Sequence, residues 1–385
     1  MTTDRSHTDA ESDAQDCCSA GVRVPEHTDA PTTAVLGERP SWITGAVDTT
    51  VGSVPVVDTS LRWSDRLGSW KVRWGIGRSR YRIAPGLYAV GQPTPESHVF
   101  VTANFKMSFD RLRSQLGGID AWILVLDTKG INVWCAAGKG TFGTDEIVAR
   151  IAATRLNEIV SHRRLILPQL GAPGVSAHEV KARSSFHVVY GPVRAADIPA
   201  FLAARMTATA EMRQVRFAFR DRAVLIPVEL VGTARYALLI AVALFLLSGF
   251  GPGVYAWERA VAWGIPSAAL WLIACAAGAI LPPALLPWLP GRAFSLKGGL
   301  LGIVVGLGAL WLIFPSLVTS RGYLAALPWL FWFPAVISFI AMNFTGSSTY
   351  TSLSGVRKEM RVAVPVQIAL TALGLILWLV KPFVS

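Results

Sequence analysis

The chain has 385 residues, 52% of them hydrophobic, with a mean hydropathy of +0.44 and a net charge of +11 from 36 basic and 25 acidic residues. That is too apolar for a single soluble domain, and the length accommodates one soluble domain followed by a membrane domain. Beside long apolar runs, the basic excess reads as a cytoplasmic face meeting anionic lipid, not as a nucleic-acid footprint. The four cysteines, Cys17, Cys18, Cys135 and Cys275, form no CxxC pair, which argues against a zinc ribbon or an iron–sulfur cluster held by this chain alone.

Residues 1–60 read as a disordered leader, polar and acidic at first, with no apolar core of a cleavable signal. Adjacent Cys17 and Cys18 lie in it. A basic, aromatic stretch follows: Trp70, Lys71, Arg73, Trp74, Arg78, Arg80 and Arg82. Its composition suits packing on a domain or a lipid surface better than contact with nucleic acid.

Between about 85 and 230 the pattern alternates. HVFVTANF (98–105), AWILVLD (121–127), LILPQLG (165–171) and HVVYGPV (187–193) read as buried strands. FDRLRSQL (109–116) and TDEIVARIAATRLNEIV (144–160) read as helices, the second capped by Thr144. Near-continuous apolar strands between helices predict an α/β fold, a Rossmann-like parallel sheet covered on both faces, over residues 61–230. Ligands in such sheets sit beyond the carboxyl ends of the strands. That makes Thr102, Ala103 and Asn104, Asp127 to Lys129, and Gly191, Pro192 and Val193 candidate pocket residues.

Five apolar segments come next, at 235–254, 261–282, 298–318, 323–342 and 362–380. Each has the length that crosses a hydrocarbon core of about 30 Å. They predict an all-α membrane domain of five transmembrane helices over 231–385. Arg213, Arg216, Arg220, Arg222 and Arg235 precede the first; Arg292 and Lys297 lie between the second and third; Arg357, Lys358 and Arg361 lie between the fourth and fifth. This bias places the soluble domain in the cytoplasm and the C-terminus outside a cytoplasmic membrane. The inner loop NFTGSSTYTSLSGVRKEM (343–360) is rich in hydroxyls and glycine and is a candidate docking or ligand-facing loop.

One stretch carries the chemistry: INVWCAAGKGTFGT, 131–144. It is not a phosphate loop, because Val133 stands where the first glycine is needed and Gly140 where Ser or Thr is needed. Gly138, Gly140 and Gly143 do spell GxGxxG, with Glu158 further on, but the strand before them has ended and no crossover fits in between. The remaining readings are a cysteine that serves as a soft ligand or nucleophile, and a structural cysteine in a tight turn. On a helix, Asn132, Cys135 or Ala136, and Lys139 share one face. Ala136, Ala137 and Gly138 are small enough to admit a broad flat ligand.

Asn132, Val133, Trp134, Cys135, Ala136, Ala137, Gly138 and Lys139 together resemble the signature of the corrinoid protein of microbial mercury methylation. That family joins a corrinoid-binding domain, related to the corrinoid iron–sulfur protein of the acetyl-CoA pathway, to five membrane helices. PGLYAVGQP (85–93), VTANFKMSFDRLR (101–113), LPQLGAPGVSAHEV (167–180), VVYGPVRAADIPAFL (188–202) and the 343–360 loop resemble family segments too, so the likeness covers roughly 65–380. It implies a cobalamin-type corrinoid with Cys135 as the axial ligand of its cobalt and as the catalytic residue. Asn132 to Lys139 would then form the contacting helix, and Thr102, Asn104, Gly191, Pro192 and Val193 would line the pocket. It further implies a corrinoid-dependent methyltransferase that passes a methyl group from cysteine-ligated methyl-cobalt(III) to mercury(II), forming methylmercury. The implied partners are a ferredoxin-like protein with two 4Fe–4S clusters as electron donor, a methyltetrahydrofolate-linked methyl donor and the lipid membrane, with no nucleic acid. A corrinoid methyl carrier with another acceptor and a nucleotide-binding membrane sensor are the alternatives.

Overall fold

The computed structural model describes residues 40–313, 323–345 and 353–384. They form two compact units that divide between Arg216 and Phe217, ahead of the boundary expected at 230.

The first unit is α/β. Its elements are β1 (Ile43–Thr49), β2 (Gly52–Val57), α1 (Trp63–Arg73), β3 (Gly86–Val90), β4 (His98–Ala103), α2 (Lys106–Arg113), β5 (Ala121–Leu126), α3 (Val133–Gly138), α4 (Thr144–Ala153), α5 (Leu156–Ile159), β6 (Arg164–Leu167), α6 (Ala177–Ser184), β7 (His187–Tyr190) and α7 (Ile198–Ala203). All seven strands make one sheet in the order β1-β2-β3-β5-β4-β6-β7.

The four expected strands are parallel to one another: β4 to β5, β4 to β6, and β6 to β7. The sheet as a whole is mixed, which corrects the expectation of a parallel one. β3 runs antiparallel to β5, and β1 antiparallel to β2. The cause is connection length. Residues 91–97 join β3 to β4 without a helix, and a parallel return needs a crossover of a dozen or more residues.

Strand periodicity builds two cores. Trp122, Leu124 and Leu126 of β5 pack with Val99, Val101, Leu165 and Leu167 against Ala136, Phe142, Ile147, Ile151 and Val180 of the α3–α6 side. Ile123 and Val125 pack with Phe100 and Ile166 against Phe109, Leu112, Ile198 and Phe201 of the α2–α7 side. Burial on both faces explains why β5 reads as an unbroken apolar run.

Three further expectations change. Residues 43–57, assigned to the leader, form the β1–β2 hairpin, with Val54 and Val57 buried; the polar composition of what precedes them masks their period-two alternation. Residues 1–39, with Cys17 and Cys18, lie outside the described residues. The helix expected over 144–160 breaks at Arg155, which takes the left-handed conformation at φ 49°. Thr144 is the first helical residue and not the cap; its hydroxyl oxygen accepts from Ser176 N at 2.9 Å.

The second unit is helical. Five helices are long and apolar enough to cross a membrane: Phe219–Leu247, Trp257–Leu285, Phe294–Leu312, Leu324–Met342 and Gly355–Phe383. The third and fourth lie in close contact through glycines. A Cβ at Gly302 would stand 2.5 Å from Pro334 Cα, and one at Gly298 2.7 Å from Ser338 Cα. Small residues at this four-residue spacing let helix backbones approach where lipid gives no hydrophobic drive. Of the inner loop at 343–360, residues 346–352 lie outside the described residues.

Candidate functional site

The parallel strands β5, β4, β6 and β7 end at one edge of the sheet. The connections that leave that edge are the ones carrying the candidate residues. The chain passes from β4 to β5 on one side and then from β5 to β6 on the other side of β4. Such a reversal of strand order opens a crevice beyond the carboxyl ends.

Asn104, the residue after β4, organises this edge. It is 2% exposed. Its side-chain Oδ1 accepts from Thr128 N at 3.2 Å and from Gly130 N at 2.9 Å, and its Nδ2 donates to Asp127 Oδ1 at 3.0 Å. The Thr128 hydroxyl donates to Ile131 O at 2.6 Å. Lys129 and Gly130 both have positive φ, 57° and 74°, so the loop after β5 turns sharply and its amides converge on the one buried amide oxygen. Asp127 N donates to Glu146 Oε1 at 2.8 Å, which ties the loop to α4. Burial would raise the Asp127 carboxyl, but the hydrogen bonds from the Lys129 side chain and N–H, with the Lys129 and Arg150 charges, hold it below its ordinary value.

The loop delivers the chain into α3. Asn132 is its cap: Oδ1 accepts from Cys135 N at 2.9 Å, satisfying an amide that a helix start leaves open. The helix then splits into two faces. Val133, Ala136 and Ala137 are buried, whereas Trp134, Cys135, Gly138 and Lys139 look outward, with Cys135 half-buried. The small alanines face inward and let the protein pack beneath the helix. The short helical turn Gln169–Gly174 lies there. A Cβ at Gly174 would stand 2.9 Å from Ala137 Cα and 2.3 Å from Phe142 O, so this approach requires glycine. Phe142, fully buried, donates its N–H to Ala136 O at 3.1 Å. Tyr190 O–H donates to Val175 O at 2.9 Å, joining the end of β7 to the loop after β6; burial pushes that phenol up.

Gly138 is the one outward position without a side chain. A Cβ there would meet nothing within 4 Å, so the surface beside Cys135 is open. Gly138 ends helix α3 and Gly140 follows it, with no strand directly before them, so the GxGxxG spacing lacks the strand–turn–helix geometry of a dinucleotide site.

Two groups of expected pocket residues lie in or just after other strands of the sheet. Thr102 is buried in β4 in step with Phe100, on the α2–α7 face and away from α3. Gly191 N donates to Leu167 O at 2.8 Å and Val193 N to Met212 O at 2.8 Å, so Gly191, buried Pro192 and Val193 extend the sheet edge beyond β7. Sequence reasoning missed Glu146, Phe142, Gly171 and Gly174. The glycine spacing of LPQLGAPG was the available signal.

Among the described residues no three of His, Cys, Asp or Glu converge as a metal site. A cavity of about 300 Å³ lies in the helical unit, lined by Arg259, Trp263, Trp378 and Lys381 among others, and so belongs to a different part of the chain.

Residues 77–202 match the model of the CO dehydrogenase/acetyl-CoA synthase delta subunit family. That range runs from before β3 through α7. The gamma subunit of the acetyl-CoA decarbonylase/synthase complex of Archaeoglobus fulgidus is 33% identical over 127 residues, covering 32% of this chain and 27% of that one. The Methanopyrus kandleri gamma subunit is 28% identical over 168 residues, 43% of this chain and 36% of that one. The corrinoid/iron-sulfur protein large subunit of Moorella thermoacetica is 28% identical over 127 residues, 32% and 28% of the two chains. The chain thus spans about a quarter to a third of the length of these relatives. The likeness is to a corrinoid-related family of the acetyl-CoA synthase pathway; the five apolar helices lie outside the matched range.

Proposed function

We propose that the α/β unit binds a cobalamin-type corrinoid, that Cys135 would supply the protein's sulfur to its cobalt, and that the chain is a membrane-linked methyl carrier whose acceptor is mercury(II). One observation carries this reading: a capped, half-exposed cysteine beside open surface, at the strand-end edge of the stretch that matches the CO dehydrogenase/acetyl-CoA synthase delta subunit family. A lone soft donor is a poor metal site by itself. It suits a metal whose other ligands come from a macrocycle.

When bound, the corrinoid would supply the methyl-transfer chemistry. The protein supplies the rest. Cys135 offers sulfur, and the Asn132 cap with the Gly174 and Phe142 packing fixes the helix that carries it. Asn104 sets the loop before it. Trp134 and Lys139 flank the open surface. Gly191, Pro192 and Val193 form the neighbouring strand end. The carrier draws methyl groups from a methyltetrahydrofolate-linked donor and electrons from a ferredoxin-like protein with two 4Fe–4S clusters, a reading supported by the lack of a CxxC pair in the sequence. The five helices sit in the cytoplasmic membrane with the C-terminus outside.

The test is methylmercury formation by membranes carrying wild type or Cys135→Ala, with donor and reductant supplied. Loss of product in a stably expressed variant is expected. Full activity there would overturn the role of Cys135, and methyl uptake with no transfer to mercury(II) in the wild type would overturn the acceptor.

A further inference from the structure

Helix α1 is turned inside out. The face it buries carries Asp65, Gly68, Ser69 and Val72. Asp65 is 4% exposed and is held by Lys106 at 2.6 Å and Arg113 at 2.8 Å. A Cβ at Gly68 would stand 2.6 Å from the Tyr81 hydroxyl oxygen, so the helix lies close on its neighbour there. The face it exposes carries Trp63, Leu67, Trp70 and, just past its end, Trp74. These positions recur at helical spacing and form one stripe. Trp63 is 76% exposed and Trp70 62%. The Trp70 and Trp74 rings meet edge to face at 6.2 Å, and Ile76 continues the patch at 60% exposure.

A stripe of this kind needs an apolar environment, and its surroundings say which. Arg62, Arg66, Lys71, Arg78, Arg80 and Arg82 are all exposed around it, while the acidic residue of the helix, Asp65, is buried in ion pairs. Tryptophan at the centre and Lys/Arg at the rim is the composition of a helix lying in the plane of an anionic bilayer surface. The same chain carries five helices that are long and apolar enough to cross a membrane, so a bilayer is at hand. Neither α1 nor those helices lies in the range matched to the acetyl-CoA synthase family.

We propose that α1 is an interfacial helix that seats its Trp63, Leu67, Trp70 and Trp74 face at the headgroup–acyl boundary of an anionic bilayer, with the surrounding arginines and Lys71 on lipid phosphates. The helix then fixes how the α/β unit stands on the membrane. This does not depend on what Cys135 holds.

The experiment is hydrogen–deuterium exchange of the full chain in nanodiscs of phosphatidylcholine alone and of phosphatidylcholine with phosphatidylglycerol, following peptides that cover 63–74. Slower exchange with the anionic lipid, reversed by high salt, is expected. Each Lys or Arg near the surface contributes about fivefold in binding, so Arg66→Gln with Lys71→Gln should cost most of the added protection. Trp63→Ser with Trp70→Ser should remove it in both lipids. A peptide over 121–126 checks that the fold persists, and the charge variant, confined to exposed side chains, serves if the tryptophan variant opens. Equal exchange in both lipids overturns the proposal. So does protection that persists in neutral detergent, which would mean cover by the helical unit or a second copy, and protection that appears only when an RNA oligonucleotide is added.

Discussion

Two buried polar clusters grow from the residues that follow β4, and they do different things. Asn104 is a neutral hub: one side-chain amide gathers Asp127, Thr128 and Gly130 and so shapes the backbone that leads to Cys135. A few residues on, Lys106, Asp110 and Arg113 join Asp65 in an ionic cluster of two cations and two anions, with Arg113 fully buried and also donating to the Asp58 and Ser60 carbonyls. The amide sets a loop conformation over short range. The charges clamp a separate helix, α1, against α2 and hold its tryptophan face outward. Where local geometry is the requirement, directional neutral bonds suffice. Where an element must be docked by a polar face, burying compensated charge is the available means, and it is costly to disturb.

Breaking each cluster separates them. Arg113→Met leaves Asp65 and Asp110 buried with a single cation, and loss of one partner of a buried pair costs about 3–5 kcal/mol. The variant should show a large drop in urea resistance of the α/β unit by protease protection, with ordinary alkylation of the Cys135 thiol in the folded fraction. Asn104→Ala strands buried donors of the loop and costs about 2 kcal/mol. Here the thiol should alkylate at a changed rate, read by peptide mapping. Equal effects of both variants on Cys135 would dissolve the distinction. Asn132→Ala removes a cap worth about 1 kcal/mol, and Asn132→Asp or Asn132→Ser should restore most of it in the same assays.

The smallest effect is in acid. The Asp127 carboxyl is lowered in the folded state, against burial, by Lys129 and Arg150. Its contribution is therefore complete above the unfolded value of about 3.9 and is lost as pH falls through the folded one. The pair with Lys129 is partly exposed, at 65% and 27% for the two side chains, so solvent screens it. Asp127→Asn should flatten the acid limb of a stability–pH curve and lower the neutral-pH plateau by the same small amount.

Much of this was legible in the residues. β4, β5, β6 and β7 were readable because both-face burial makes them continuous apolar runs, and the five apolar helices because their length is unambiguous. The hairpin at 43–57 was hidden by the polar composition before it, and β3 by its shortness. At the site, Cys135 stood out by its glycine-rich setting. Asn104 was placed at the right edge as a pocket residue; its task as a loop hub was not readable, since a strand-end asparagine reads equally as a pocket wall or a loop hub, and only the fold brings 127–130 onto it. The inward turn of Ala136 and Ala137 was not readable, because a one-and-a-half-turn helix has too few residues to reveal its buried face by periodicity. The outward turn of α1's tryptophans was obscured for a different reason: its docking residues, Asp65, Lys106 and Arg113, are far apart in sequence.

The most direct measurement is an anaerobic visible spectrum with cobalt analysis of the purified chain, wild type against Cys135→Ala. The account predicts stoichiometric cobalt with a corrinoid spectrum that changes when the thiol is removed. A colourless, cobalt-free wild type that remains so after reconstitution with corrinoid would contradict it.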